Sequence, residues 1–150
     1  MDLKKHILEQ LKNGKTLQLA TVANGKPWIS TVYFVADHNL DFYWLSFPSR
    51  RHSKDIENEP SVAVAVQIKT DRPVIGVQAE GNATTVNDLS EIEKVLKLYV
   101  GKYEEGKQFV DNFKAGKNEH ALYKLESSNV VIFDEFNFPG EGPKSWQKQQ

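Results

Sequence analysis

The sequence predicts one α+β domain, mainly β, in which an antiparallel sheet of six to seven strands curls into a barrel and carries helical additions. Three observations predict it. Short β-patterned runs separated by turn signals succeed one another from Thr16 to Ile68. Gly76 and Gly81 interrupt a longer strand pattern, as at a barrel corner. Helical spacing is confined to the N-terminus, a short segment after Ser49 and a stretch after Asp88. At 150 residues the chain suits one domain with a single core.

Leu3, Ile7, Leu8 and Leu11 recur at helical spacing behind Asp2, an N-cap residue, and Asn13-Gly14 offers a left-handed stop. Thr16 to Ala23 turns β-like, Asn24-Gly25 is a strong hairpin signal, and Trp28 to Ala36 resumes as the partner strand. Asp37-His38-Asn39 is a second turn, followed by the strand Asp41 to Ser46. Ser49 is the expected cap of a short helix that Pro60 ends. Ser61 to Ile68 alternates Val or Ile with Ala or Gln, and Pro73 to Val86 is the long glycine-bearing strand. Ile92, Val95, Leu96 and Tyr99 form a helical stripe, with Ser90-x-x-Glu93 as a capping box, and Phe109 and Phe113 suggest a further helix. LYKLESSNVVIFDE closes the barrel as a strand pair, and residues 139–150 read as an extended arm, long enough to reach a partner subunit.

The chain has no cysteine, which removes disulfides, thiolate nucleophiles, iron–sulfur clusters and Cys-based zinc sites. Its four histidines are too scattered for a recognisable metal set, and no Ser/His/Asp arrangement shows in the linear sequence. No apolar run is long enough to span a bilayer and the N-terminus lacks a signal-peptide core, so a cytoplasmic location away from membranes is expected. A net charge of -1 argues against a dedicated nucleic-acid binder, the lowest-ranked function, so anion recognition has to come from a local cluster.

That cluster is Ser49-Arg50-Arg51-His52-Ser53-Lys54-Asp55-Ile56-Glu57-Asn58-Glu59-Pro60. A helix favours acids at its start and bases at its end, each by about 0.3–1 kcal/mol at the surface. Here the order is inverted. A phosphate held by first-turn N–H groups, the Ser49 hydroxyl and the Arg51 guanidinium would offset the inversion. The competing reading is a solvated surface helix with Arg51 paired to Asp55. Just upstream, Phe42-Tyr43-Trp44-Leu45-Ser46 could lay an exposed backbone along a planar ring, although aromatic barrel filling suits Tyr43 and Trp44 at least as well.

NGKPWISTVYFV, LDFYWLS, SRRHSKDIENEPSVAVAV and VIGVQAEGNATTV, in that order, resemble the pyridoxamine 5'-phosphate oxidase-like family of FMN-binding split barrels over roughly Leu17 to Val86. The resemblance implies FMN at a homodimer interface. On matching positions Arg51, His52 and Lys54 hold the phosphate with Ser49, Ser30, Thr31, Val32, Trp44, Leu45 and Ser46 line the ring and ribityl chain, and Gln78 approaches from the partner. Where the namesake oxidases carry an Arg and a Lys, this chain has Ser30 and Val35, and its tail lacks their Arg-rich segment, so vitamin B6 synthesis is not expected. The leading expectation is an FMN-dependent oxidoreductase of a small organic substrate, drawing on a nicotinamide donor. The alternatives are a non-catalytic flavin- or haem-binding protein and a barrel holding a deazaflavin.

Overall fold

A computed structural model describes residues 1–117 and 119–149. Asp2 caps the first helix, α1 (Leu3–Leu11), its carboxylate accepting from the Lys5 N–H at 3.1 Å. β1 (Thr16–Ala23) and β2 (Lys26–Tyr33) form a hairpin over Asn24 (φ 52°) and Gly25 (φ 73°), the left-handed pair that the Asn-Gly signal demands. β3 (Val35–Ala36) and β4 (Phe42–Ser46) pair across the Asp37 turn, and α2 (Arg51–Asn58) follows. β5 (Ser61–Lys69), β6 (Ile75–Thr85), α3 (Leu89–Lys102), α4 (Gly106–Lys114), β7 (Ala121–Asp134) and β8 (Lys144–Gln147) complete the chain.

The sheet order is β2-β1-β5-β6-β7-β4-β3, with every pairing antiparallel and β8 added to β7. β3 begins two residues after β2 ends, so the two ends of the sheet are one stretch of chain kinked at Phe34, and the sheet closes on itself. It is an α+β split barrel. β2 and β4 run near one another without pairing, and this seam is the split.

Side-chain alternation assigns the two faces. Leu17, Leu19, Val62, Val64, Val66, Val77, Phe42, Trp44 and Leu125 fill the barrel with α1 residues Ile7 and Leu11 closing it. Tyr43 faces outward and is buried a second time beneath α3 and α4, with Val95, Leu96, Tyr99 and Val110. A strand covered on both sides thus loses the polar alternation that an exposed strand would show.

Several local expectations change. Gly14 has no left-handed φ; a Cβ there would sit 2.3 Å from Val66 Cγ1, so it is glycine for close approach. Asp88, not Ser90, caps α3, its carboxylate accepting from the Glu91 N–H at 2.9 Å. Ser49 does not cap α2: a turn bonding Arg50 N–H to Phe47 carries the chain one residue further, and Arg50 holds the cap position without a side-chain bond. The closing segment is one long strand, β7, rather than a pair. The tail read as an arm folds back instead. β8 pairs with β7, Trp146 packs on the core, and Lys148 Nζ reaches Asp41 at 2.7 Å. The alternation of Ser145, Trp146 and Gln147 is short, and only its one inward aromatic marks it as a strand.

Candidate functional site

α2 packs across β1 beside the split and also touches β2 and β6. It is anchored by its buried face, His52, Ser53, Asp55 and Ile56. Buried Thr21 of β1 donates to Asp55 Oδ2 at 2.8 Å, and Ser53 Oγ donates to the Phe47 carbonyl at 2.9 Å. The first intrahelical bond runs from Lys54 N–H to Arg50 O, so the N–H groups of Arg51, His52 and Ser53 precede the helix ladder.

The inverted charge order survives folding. Arg51 and Lys54 stay exposed at the start, with no acid in the first turn, while Asp55 is turned inward. Arg51 Nε is 4.0 Å from Asp55 Oδ2, a loose contact, and its guanidinium lies 4.1 Å from the centre of the Trp28 ring on β2. No carboxylate lies within 4.0 Å of Lys54 among the described residues.

His52 points inward, its Nε2 bonded to Ser46 Oγ at 2.8 Å at the end of β4. Burial, helped by the Arg50 charge, lowers its pKa and keeps the imidazole neutral. In this geometry its backbone N–H, not its ring, is what His52 offers an anion. Nearby, His120 stacks on Phe47 at 4.2 Å and burial lowers its pKa too.

The structure divides the residues singled out in the sequence. Ser30 and Val32 share the inner face of β2 with Trp28, opposite Leu19, Leu17 and Thr21 of β1. With Ser46, Ser49, Arg51, His52 and Lys54 they border the split and the α2 start. Trp44 and Leu45 lend this seam only backbone: Trp44 is fully buried, stacked on Tyr123 at 6.1 Å, and Leu45 packs toward α3. Their backbone edge toward β2 has no strand partner past Tyr43; the Tyr99 hydroxyl lies between the two strands, 3.3 Å from the Tyr33 and Tyr43 carbonyls, and bonds the Leu45 backbone. Thr31 and Gln78 lie on the outer face instead, where Gln78 lines a shallow cavity of about 300 Å³ with Ile29, Ala63, Ala65 and Asn129. Trp28 was missed by sequence reasoning; its signal was an aromatic on a strand that buries almost nothing.

The donor set fits a phosphate: three N–H groups ahead of the ladder, the Ser49 hydroxyl, and two cations, Lys54 with no carboxylate within 4.0 Å among the described residues and Arg51 with only the loose contact to Asp55. A split barrel with such a seam defines a class of small antiparallel barrels. The chain belongs to the pyridoxamine 5'-phosphate oxidase family, whose model matches residues 3–130. No curated protein matches it in sequence. Among solved structures it is similar to a heme binding protein from Mycobacterium smegmatis (15% identity, TM-score 0.75, 98% of this chain and 58% of that one). It also resembles HutZ, the heme storage protein from Vibrio cholerae (24% identity, TM-score 0.68, 89% and 95%). General Stress Protein 26 from Bacillus anthracis str. Sterne matches over the whole length of both chains (19% identity, TM-score 0.69, 99% and 100%). At these identities the likeness is one of fold. No helix among the described residues is long and apolar enough to cross a membrane.

Proposed function

We propose that the chain binds FMN by its phosphate at the start of α2 and acts as a homodimeric FMN-dependent oxidoreductase of a small organic substrate. The observation that carries this reading is a cationic helix start, with one loose carboxylate contact at Arg51 and none at Lys54 among the described residues, beside a strand edge without a strand partner. Arg51 and Lys54 would hold the phosphate with the N–H groups of Arg51, His52 and Ser53 and the Ser49 hydroxyl. Ser30, Val32 and the backbone of Trp44–Ser46 would border the ring and ribityl chain. The flavin would supply hydride transfer, and the protein supplies position. Ile29 and Tyr33 are each 65% exposed on the outer face of β2, an apolar surface suited to a second copy that would bring Gln78 and Thr31 to the partner's split.

The likeness to two haem-binding proteins supports a second reading, a non-catalytic haem binder. Protein purified from its native host separates the two by its absorption spectrum and the mass of its extracted ligand. A bound flavin that a nicotinamide donor reduces with turnover supports the first reading, and a haem Soret band the second. Arg51→Ala with Lys54→Ala should abolish retention of FMN and leave a folded dimer. Unchanged FMN affinity in that double variant would remove the phosphate assignment.

A further inference from the structure

A groove of about 1050 Å³ lies between α1 and α3, floored by β3. Apolar side chains line it, Leu8 from α1, Val35 from the sheet, and Val95 and Leu98 from α3, and Lys5, Lys12, Lys94 and Lys97 stand along the same walls. Near one end sits Lys102, half-buried, its ammonium 3.6 Å from the centre of the Phe34 ring. Its one hydrogen bond is a long one, 3.4 Å to the Leu11 carbonyl, and no carboxylate reaches it among the described residues. An ammonium has three donors; beyond this bond and the Phe34 ring face, the rest is open to water or to a ligand of the groove.

The other end is polar and already satisfied. Tyr43 Oη lies 2.8 Å from Glu91 and 3.2 Å from Asp37, and Glu91 accepts from Lys124 at 2.9 Å. Glu91 precedes Lys102 by eleven residues on α3, which separates the two ends by about 16 Å along the axis at the rise of an α-helix. The groove thus carries apolar side chains between a polar end, where Glu91 and Lys124 pair, and the half-buried Lys102, which has no carboxylate within 4.0 Å among the described residues. Between them Gly101 occupies a helix position where an added Cβ would meet nothing within 4 Å. A larger side chain at this position, beside Lys102 in the lining, would project into open space.

We propose that this groove binds an amphipathic monocarboxylate, such as a medium-chain fatty acid, with its two carboxylate oxygens on Lys102 and its hydrocarbon body along Leu8, Val95 and Leu98. The carboxylate supplies a charged acceptor that the ammonium lacks among the described residues, and the apolar side chains take the hydrocarbon chain. This site is separate from the split and does not depend on what is bound there.

Laurate, titrated calorimetrically below its micelle concentration into the full-length protein, tests the site. Lys102→Met should weaken binding about tenfold or more, the loss expected for a hydrogen-bonded charge. Lys102→Arg, which keeps the charge, should stay much closer to the parent. Gly101→Leu should weaken laurate binding as well, by filling open space, while thermal unfolding shows a fold at least as stable. Absence of laurate binding, or equal affinity in Lys102→Met and Gly101→Leu, would overturn the proposal. Loss in Gly101→Leu alone would overturn the placement of the head group on Lys102.

Discussion

The guanidinium of Arg51 rests 4.1 Å from the centre of the Trp28 ring, joining the first turn of α2 to the otherwise bare strand β2. This contact holds the half-exposed arginine on the seam side of the helix, although Asp55 lies one turn on. An exposed cation–π contact contributes about 0.5–1 kcal/mol.

Trp28→Ala should therefore weaken FMN binding by roughly two- to fivefold through a less ordered Arg51. The Arg51→Ala, Lys54→Ala pair should do far more. Fluorescence titration with FMN measures both, and a Trp28→Ala loss as large as the double variant's would mean that the indole itself touches the ligand.

Asp55 is nearly fully buried and depends on Thr21 for its shortest hydrogen bond. Thr21→Val keeps the shape and removes the donor, leaving a buried carboxylate short of a partner. The expected loss is about 1.5–3 kcal/mol of stability, the range for a hydrogen bond to a charged group. Urea unfolding measures it. A change under about 0.5 kcal/mol would show that Arg51 swings in to replace the hydroxyl.

Much of this fold is legible in the residues. The Asn24-Gly25 hairpin, the alternating β5 and the Leu/Ile stripe of α1 each follow from local chemistry that the tertiary structure does not override. The inverted charge order of α2 is a local fact too, and it marked the candidate site. What the residues do not disclose is non-local. Nothing near Trp44 says that both faces of β4 will be covered, because α3 is contributed from much later in the chain. His52 looks like a surface cation until Ser46 and the barrel wall enclose it. The tail's Gly and Pro content hides β8, whose place is decided by Asp41 and β7. Trp28 gains meaning only when α2 swings Arg51 over it.

Gly81 sits where the β6–β7 register shifts, and a Cβ there would stand 2.0 Å from the Glu126 carbonyl oxygen. Backbone cannot yield as a side-chain tip can. Gly81→Ala should cost about 1–3 kcal/mol or more as the strands separate at the bulge. Gly101→Ala, placed in open space on α3, should instead stabilise by about 1 kcal/mol. Paired thermal melts check the contrast, and equal effects would contradict the assigned roles of the two glycines.

Lys102 also leaves a mark on the pH dependence of stability. Burial lowers its pKa from the ordinary lysine value to about 8. A folded-state pKa below the unfolded one means that the charged amine is held at a cost. The cost is full below pH 8 and fades as pH rises toward about 10.4, where the unfolded lysine also loses its proton. Burial raises the pKa of Tyr99, and that of Tyr103 to about 12, which acts in the opposite direction only above about pH 10, where unfolded tyrosines ionise. Between pH 8 and 10 the lysine should therefore dominate, with melting temperature rising. The side chain is only partly buried, so screening keeps the gain to roughly 1 kcal/mol. Lys102→Met should flatten that limb and raise stability at neutral pH by a similar amount. A variant that keeps the parent's alkaline rise would trace it to another group and leave the buried ammonium without an energetic cost.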